Sequence, residues 1–472
     1  MNRYIRIWLT FAPIVVVCLG LSGQQNNTLF LMHDLPQANI VNPAVPIKCK
    51  FYMGLPVLGS THVNTYSSGF ALTDIVTPYQ GDSLRFEVDD AIDGFNKLEV
   101  VAAELHVSLL TMGYRYKQNY FTFAINEKGN TYNIISKNAA LFINDGNTQF
   151  EGQNVYMDGV RVNANHYREY ALGWARKLND DFDFGVRVKF LFGKANSYTE
   201  PTKIRLRTHA TSFESEFLAL ANVYTSFPVD ITVDEDGKLD EVALKEDIDW
   251  TQYAMNKANK GYGLDLGFTY KINDITTVSG SLLDIGFIKW KTDAYHLKSS
   301  GSIDVNGTSF QDDLRSSDEI ADSLATVFMP DVFEEVYNSP LTPTLYLGIT
   351  RQMTDKFNVG AVYHSEIYRN RLHSSLTFSG NAGLTKNIYG SASYTIQNGQ
   401  WNNLGLGIGI KMGFMLFHAI SDNVPGFFNL GAARNVNLRF GLSILTGCKR
   451  KLKTKAIPCV GDPYHAVHRN HR

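Results

Sequence analysis

The stretch Tyr167–Gly193, YREYALGWARKLNDDFDFGVRVKFLFG, decides how the rest of the chain is read. From Phe184 every second residue is large and apolar: Phe184, Val186, Val188, Phe190 and Phe192. Between them stand Gly185, Arg187, Lys189, Leu191 and Gly193. Successive side chains of a strand point to opposite faces, so a period of two is a strand signal. One face is aromatic and branched and needs an apolar surrounding; the other is small or charged and needs a polar one. The preceding arm repeats the split, with Tyr170, Leu172 and Trp174 on one parity and Ala171, Gly173 and Ala175 on the other. It ends at the polar turn Leu178-Asn179-Asp180-Asp181, which makes the pair an antiparallel hairpin.

The same alternation recurs to the C-terminus. Tyr262, Leu264, Leu266, Phe268 and Tyr270 alternate with Gly263, Asp265, Gly267, Thr269 and Lys271. Leu404, Leu406, Ile408 and Ile410 alternate with Gly405, Gly407, Gly409 and Lys411, and Val436–Ile444 alternates with Asn437, Arg439, Gly441 and Ser443. The spacing predicts an all-β fold, a transmembrane antiparallel barrel of about fourteen strands, the even number that single-chain bacterial barrels use. The barrel spans 48–447. Residues 24–47, broken by Pro36, Pro43 and Pro46, form a plug-like segment at its mouth. Long insertions at about 199–257 and 301–340 are expected to carry helices over Leu239–Ala258 and Asp313–Phe328, with another piece near Val332–Tyr337. A single strand is expected over 275–298. Short turns alternate with long loops, which puts the long loops outside the cell and both termini in the periplasm.

Composition agrees with this class. Hydrophobic residues make up 44%, aromatics 12% and mean hydropathy is −0.16, as expected when a polar lumen dilutes an apolar belt. A net charge of −2 offers no field for nucleic acid. Residues 1–23 read as a signal peptide: Arg3 and Arg6, an apolar run from Ile7 to Leu21, then Ser22-Gly23. Cys18 lacks the small residue before it that a lipidated cysteine needs. An exported integral protein without apolar helices can satisfy its backbone in lipid only as a closed barrel.

The hairpin Trp174–Gly193, Leu282–Lys291 (LLDIGFIKWK), Leu404–Phe414, Ile420–Phe428, Asn435–Ile444 and the early Asn42-Pro43-Ala44 together resemble outer-membrane barrels of Bacteroidota. The likeness is to an uncharacterised, domain-of-unknown-function group. Related to it are PorV/FadL long-chain fatty-acid-transporter-like barrels and PorP/SprF-like barrels of type IX secretion and gliding. The FadL side of the resemblance implies a plug and a path for a hydrophobic ligand. The PorV and PorP side implies secretion-system or cell-surface protein partners. In either case outer-membrane lipids surround the chain, and no enzyme activity or cofactor is implied.

Candidate lumen-lining charges are Arg187, Lys189, Asp265, Lys271, Lys411 and Arg439, all on the polar parity. Asp284, amid Leu282-Leu283-Asp284-Ile285-Gly286, joins them: a carboxylate is costly against lipid, so it must face the lumen or sit on a bulge. Cys49 opens the first strand and Cys448 closes the last, so a disulfide between them would staple the seam; Cys448 with Cys459 would instead tie back the basic tail, KRKLKTK from Lys449. Asp234-Glu235-Asp236-Gly237 fails the calcium-loop spacing and reads as an acidic turn. The histidines show no zinc spacing; His465, His468 and His471 cluster only in the tail. His166, His364 and Ser365 lack a nucleophile motif around them.

Overall fold

Short polar side chains set the tight turns from which the sheet is built. Asn179 Oδ1 accepts from the Asp181 and Phe182 amides (2.9 and 2.7 Å), and Asn273 Oδ1 accepts from Ile275 and Thr276 (3.1 and 2.8 Å). Such Asx turns return the chain within a few residues. The computed structural model describes residues 26–448 apart from 46, 79–83, 87, 146–147, 210–214, 246, 306–328, 369–370 and 398–399. The signal segment, the helix expected over 313–328, Cys459 and the tail beyond Cys448 lie outside the described residues.

Fourteen antiparallel spans close on themselves. Span β1 is split into Phe51–Gly54 and Thr61–Ser67; then follow β2 (Leu98–Tyr116), β3 (Asn119–Ser136), β4 (Arg161–Lys177), β5 (Phe182–Thr199), β6 (Asn259–Asn273) and β7 (Thr276–Trp290). Span β8 is split into Tyr337–Pro340 and Thr344–Thr354. It is followed by β9 (Phe357–Tyr368), β10 (Arg371–Gly383), β11 (Ile388–Gln397), β12 (Gln400–Met412), β13 (Met415–Ser421) and β14 (Asn435–Thr446). Closure is made by β14 on both halves of β1, with Phe51 opposite Thr446 and Thr61 opposite Phe440. Cys49 and Cys448 are disulfide-bonded beside this seam.

The register turns the alternation into rings. Ile125, Tyr170, Phe190, Tyr262, Phe287 and Pro340 lie in one hydrogen-bonded row on the outer face. The next row toward the short turns is Phe123, Leu172, Val188, Leu264 and Ile285. Leu172, Val188, Phe190 and Tyr262 are 41–55% exposed, whereas Glu169, Lys189 and Asp265 are at most 2% exposed. The barrel is therefore apolar outside and charged inside. From the Phe182 row to the Phe192 row the belt stands roughly 25 Å tall, taking about 3.3 Å per residue and a tilt near 40°. Among the described residues no helix is long and apolar enough to cross a membrane.

The insertions differ from the sequence expectation. Leu239–Ala258 is not a helix: Leu239–Leu244 pairs with Val229–Val233 in a hairpin, and only Trp250–Ala254 is helical, capped by Asp249. The acidic Asp234–Gly237 stretch is the turn of that hairpin, with Gly237 at φ 79°. The single strand over 275–298 breaks at Trp290. Ala294–Val305 pairs instead with Ser215–Ser226, which itself pairs with the end of β5, and Asp331–Glu334 pairs with Ala294–Val305 in turn. The Val332–Tyr337 region is thus strand. A helix also occupies Lys137–Asp145.

Candidate functional site: a layered lumen

Residues 26–47 lie inside the barrel at the short-turn end. Two short helices, α1 (Asn27–Leu31) and α2 (Ala38–Val41), and the turn between them bury Leu29, Phe30, Leu31 and Leu35, each 2% exposed or less. Phe30 stacks on Tyr346 of β8 at 5.0 Å between ring centres. Inner-face glycines make room for this approach. A Cβ on Gly185 would lie 2.4 Å from the Pro43 carbonyl carbon, and one on Gly409 would lie 2.5 Å from Leu35. The Asn42-Pro43-Ala44 turn is closed by Asn42 Oδ1 accepting from the Ala44 amide (3.0 Å), while Asn42 Nδ2 donates to the Phe268 carbonyl (3.2 Å).

Polar clamps hold the segment at both ends. Arg187 donates to the Ile40 carbonyl (3.1 Å), to the Asn39 carbonyl and to Asn39 Oδ1 (2.9 Å), satisfying carbonyls that the short α2 leaves open. Ser281 donates to Val41 O (2.6 Å). At the other end Asp422 accepts from the Thr28 amide (2.7 Å) and hydroxyl, and Arg439 donates to Asn26 Oδ1 (2.8 Å). Burial and the Lys48 charge hold the His33 imidazole, between the helices, down at about 4.

Above the segment lies a charged layer. Lys189 Nζ sits 2.7 Å from Asp265, 2.6 Å from Asp284 and 3.6 Å from Glu169. Lys128 reaches Glu169 at 3.0 Å and Asp284 at 3.7 Å; Arg187 reaches Asp265 at 3.0 Å. Three cations thus face three carboxylates, the balance a buried network requires. Asn126 braces Glu169 (2.8 Å) and Ser108 braces Asn126 (3.0 Å). A cavity of about 110 Å³ lies between this layer and the segment, lined by Glu104, His106, Asn126, Lys128, Thr344 and Arg439 among others. Farther toward the long loops, Tyr167, Leu191, Ile288, Trp290 and Tyr337 form a buried aromatic layer, with Leu341 packed against it.

The wall is interrupted beside the charged layer. Asp284 stands at φ 56°, and the β6–β7 register shifts between Leu264 and Leu266. On the other flank β7 pairs with β8 up to Leu283–Thr344 and again from Phe287–Pro340. Asp284–Gly286 therefore face Leu341–Pro343 without register pairs, although the Leu341 amide donates to the Gly286 carbonyl (2.9 Å) across the gap. Pro343 has no N–H to offer a ladder.

Residues 43–422 match the profile of a family of unknown function. The chain belongs to DUF5723. A comparison with curated protein sequences finds no match. Among solved structures, this DUF5723 chain is similar to a Pseudomonas aeruginosa FadL homologue at 11% identity and TM-score 0.40, covering 91% of this chain and 100% of that one. It is similar to the Ralstonia pickettii toluene transporter TbuX at 10% identity and TM-score 0.40, covering 88% and 94%. The P. putida toluene transporter TodX aligns at 10% identity and TM-score 0.39, covering 91% and 100%. The fold assignment rests on the strand register itself.

The sequence candidates separate in this DUF5723 barrel. Arg187, Lys189, Asp265 and Asp284 come together in the charged layer, and Asp284 is both on a bulge and turned inward. Arg439 is buried but apart, donating to Asn26 and Ser60. Lys271 and Lys411 do not join the layer: Lys271 is exposed at the short-turn rim, where it donates to the Asp180 carbonyl (3.4 Å), and Lys411 is half-buried beside the following turn. Strand-end lysines keep their ammonium groups in water. His166 turns outward to Glu127 and Tyr253, and His364 meets Ser375 inside. Glu169 and Lys128 were missed, although they extend the Ala171 and Ala124 parities.

Proposed function

We propose that this protein is an integral outer-membrane barrel that lets a small hydrophobic molecule pass from the long-loop mouth sideways into the bilayer, with residues 26–47 as a plug. The long loops then face outward, and both ends of the described chain lie in the periplasm. One observation carries the reading: the interruption at Asp284–Gly286 and Leu341–Pro343 lies beside the charged layer and below the aromatic one. An apolar solute entering the mouth would part the buried aromatic layer at Trp290 and Ile288, against which Leu341 packs. Passage straight down would require crossing six paired charges and then the plug. Sideways exit leads into the lipid-facing belt at Ile285 and Phe287. A non-glycine residue held at φ 56° costs about 1–3 kcal/mol, and such strain concentrates at functional sites. A disulfide at the seam suits an oxidising periplasm.

A second reading has its own support. The sheet built from Lys203–Thr208, Ser215–Ser226 and Ala294–Val305 carries a separate core of Phe150, Val155, Met157 and Leu206. Such a platform would suit a scaffold for secretion-system or cell-surface proteins. The decisive experiment bridges the gap with Ile285→Cys and Thr342→Cys. Uptake of a labelled long-chain fatty acid or aromatic hydrocarbon into proteoliposomes should stop when the bridge forms and return on reduction. Unchanged uptake in the fully bridged protein rejects lateral passage. No uptake by the parent protein, together with co-purifying protein partners, favours the scaffold.

A further inference from the structure

The row that ends the apolar belt on its long-loop side carries an unbalanced set of charges. It reads Glu127, Arg168, Phe192, Lys260, Lys289 and Asn338 across six neighbouring spans, all on the outer face. Lys194, the extra residue of the β5 bulge, stands just above Phe192. Glu127 is saturated by three neighbours: Arg168 at 2.7 Å, His166 at 3.0 Å and Lys194 at 2.5 Å. It has nothing left for the other two cations.

Lys260 and Lys289 are register partners, directly opposite each other on adjacent strands, and both are exposed. Neither has an ion-pair partner among the described residues. Like charges directly opposite on a sheet repel, so an anion held between them would relieve the repulsion. The next row down is Phe190, Tyr262 and Phe287, with Phe190 edge-on to Tyr262 at 6.0 Å. Two ammonium groups therefore sit one row above an exposed aromatic strip, at the height where headgroups meet acyl chains.

We propose that Lys260 and Lys289 bind the phosphate of a membrane lipid in the leaflet on the long-loop side, with its acyl chains lying along Tyr262, Phe190 and Phe287. The proposal rests on the membrane-embedded reading above but not on lateral passage. The aromatic strip commits the site to a lipid over free phosphate, because an inorganic ion would gain nothing from it.

The test uses the full chain in nanodiscs of equimolar phosphatidylglycerol and phosphatidylcholine, with retained lipid read by native mass spectrometry. The parent should retain phosphatidylglycerol preferentially, and each lysine removed should cost roughly five-fold in that preference. Lys260→Gln with Lys289→Gln should lose most of it, while Lys260→Arg with Lys289→Arg keeps it; unchanged heat-modifiable mobility on gels establishes that both variants fold. Equal retention by the Gln variant, or no preference in an inserted parent, overturns the site. Displacement of the lipid by millimolar inorganic phosphate also overturns it, by showing an ion site only. A parent that fails to enter the nanodisc overturns the membrane reading itself, and is scored separately by carbonate extraction.

Discussion

Two layers of one lumen solve the same problem in opposite ways. Near the short turns, the barrel interior is filled by a mainly apolar segment whose Leu29, Phe30, Leu31 and Leu35 pack against glycines and Tyr346. One level up, the interior is filled by Lys128, Lys189 and Arg187 set against Glu169, Asp265 and Asp284. Between its polar clamps, the apolar layer is held by contact area, which falls gradually as atoms are removed. The charged layer is held by mutual compensation, which fails as soon as one member is lost. The lesson is that a barrel interior need not be uniformly polar. It needs only each layer to be complete.

The largest expected effect comes from breaking the charged layer. Lys189 touches all three carboxylates, so Lys189→Met leaves buried negative charge without a partner and should cost about 3–5 kcal/mol. The thermal midpoint in detergent measures it. Adding Asp265→Asn restores part of the balance and should recover a large share of that loss. If the double variant is as unstable as both losses summed, the compensation account is wrong.

The apolar layer is probed by Gly185→Val. Its Cβ would meet the Pro43 and Ala44 backbone at 2.4–2.5 Å, and backbone cannot rotate away as a side-chain tip can. A cost of about 1–3 kcal/mol is expected, below that of Lys189→Met. It should fall on docking of the segment more than on the barrel. Proteolysis within 26–47 should accelerate while heat-modifiable mobility persists; a barrel that melts as one unit would show the two layers to be coupled.

The barrel was legible because each strand meets two environments and its parity records both. Phe184–Phe192 against Gly185–Gly193 states this without any tertiary knowledge. The same rule reached Arg187, Lys189 and Asp265, and would have reached Glu169 if followed two residues upstream of Ala171; Asp284 came instead from the cost of a carboxylate against lipid. It failed for Lys271 and Lys411, whose parity is right but whose height is at the rim, a coordinate that parity does not carry. The insertions were misread because both faces of Leu239–Leu244 are half-exposed or exposed, which removes the two-environment signal. Their pairing, Ser215–Ser226 with Ala294–Val305, joins residues from two separate loops, and no local pattern encodes such a contact.

The smallest expected effect is acid release of the apolar layer alone. His33 is held near 4 in the docked segment, against 6.5 for a free imidazole. A base whose docked value is lowered favours docking fully above its free value, and that advantage fades as pH falls from about 6.5 toward 4, because the released state binds the proton more readily. The change should amount to about 1 kcal/mol once partial solvent access is allowed for. Protease accessibility of residues 26–47 should therefore rise between pH 7 and pH 5, while His33→Gln, which cannot protonate, should flatten the profile. The charged layer offers a contrast: the Lys189 contacts lie in a different layer and contain no imidazole. If acid instead loosens the whole barrel and leaves the His33→Gln profile unchanged, the sensitivity belongs to the carboxylates, and the division between the two layers must be redrawn.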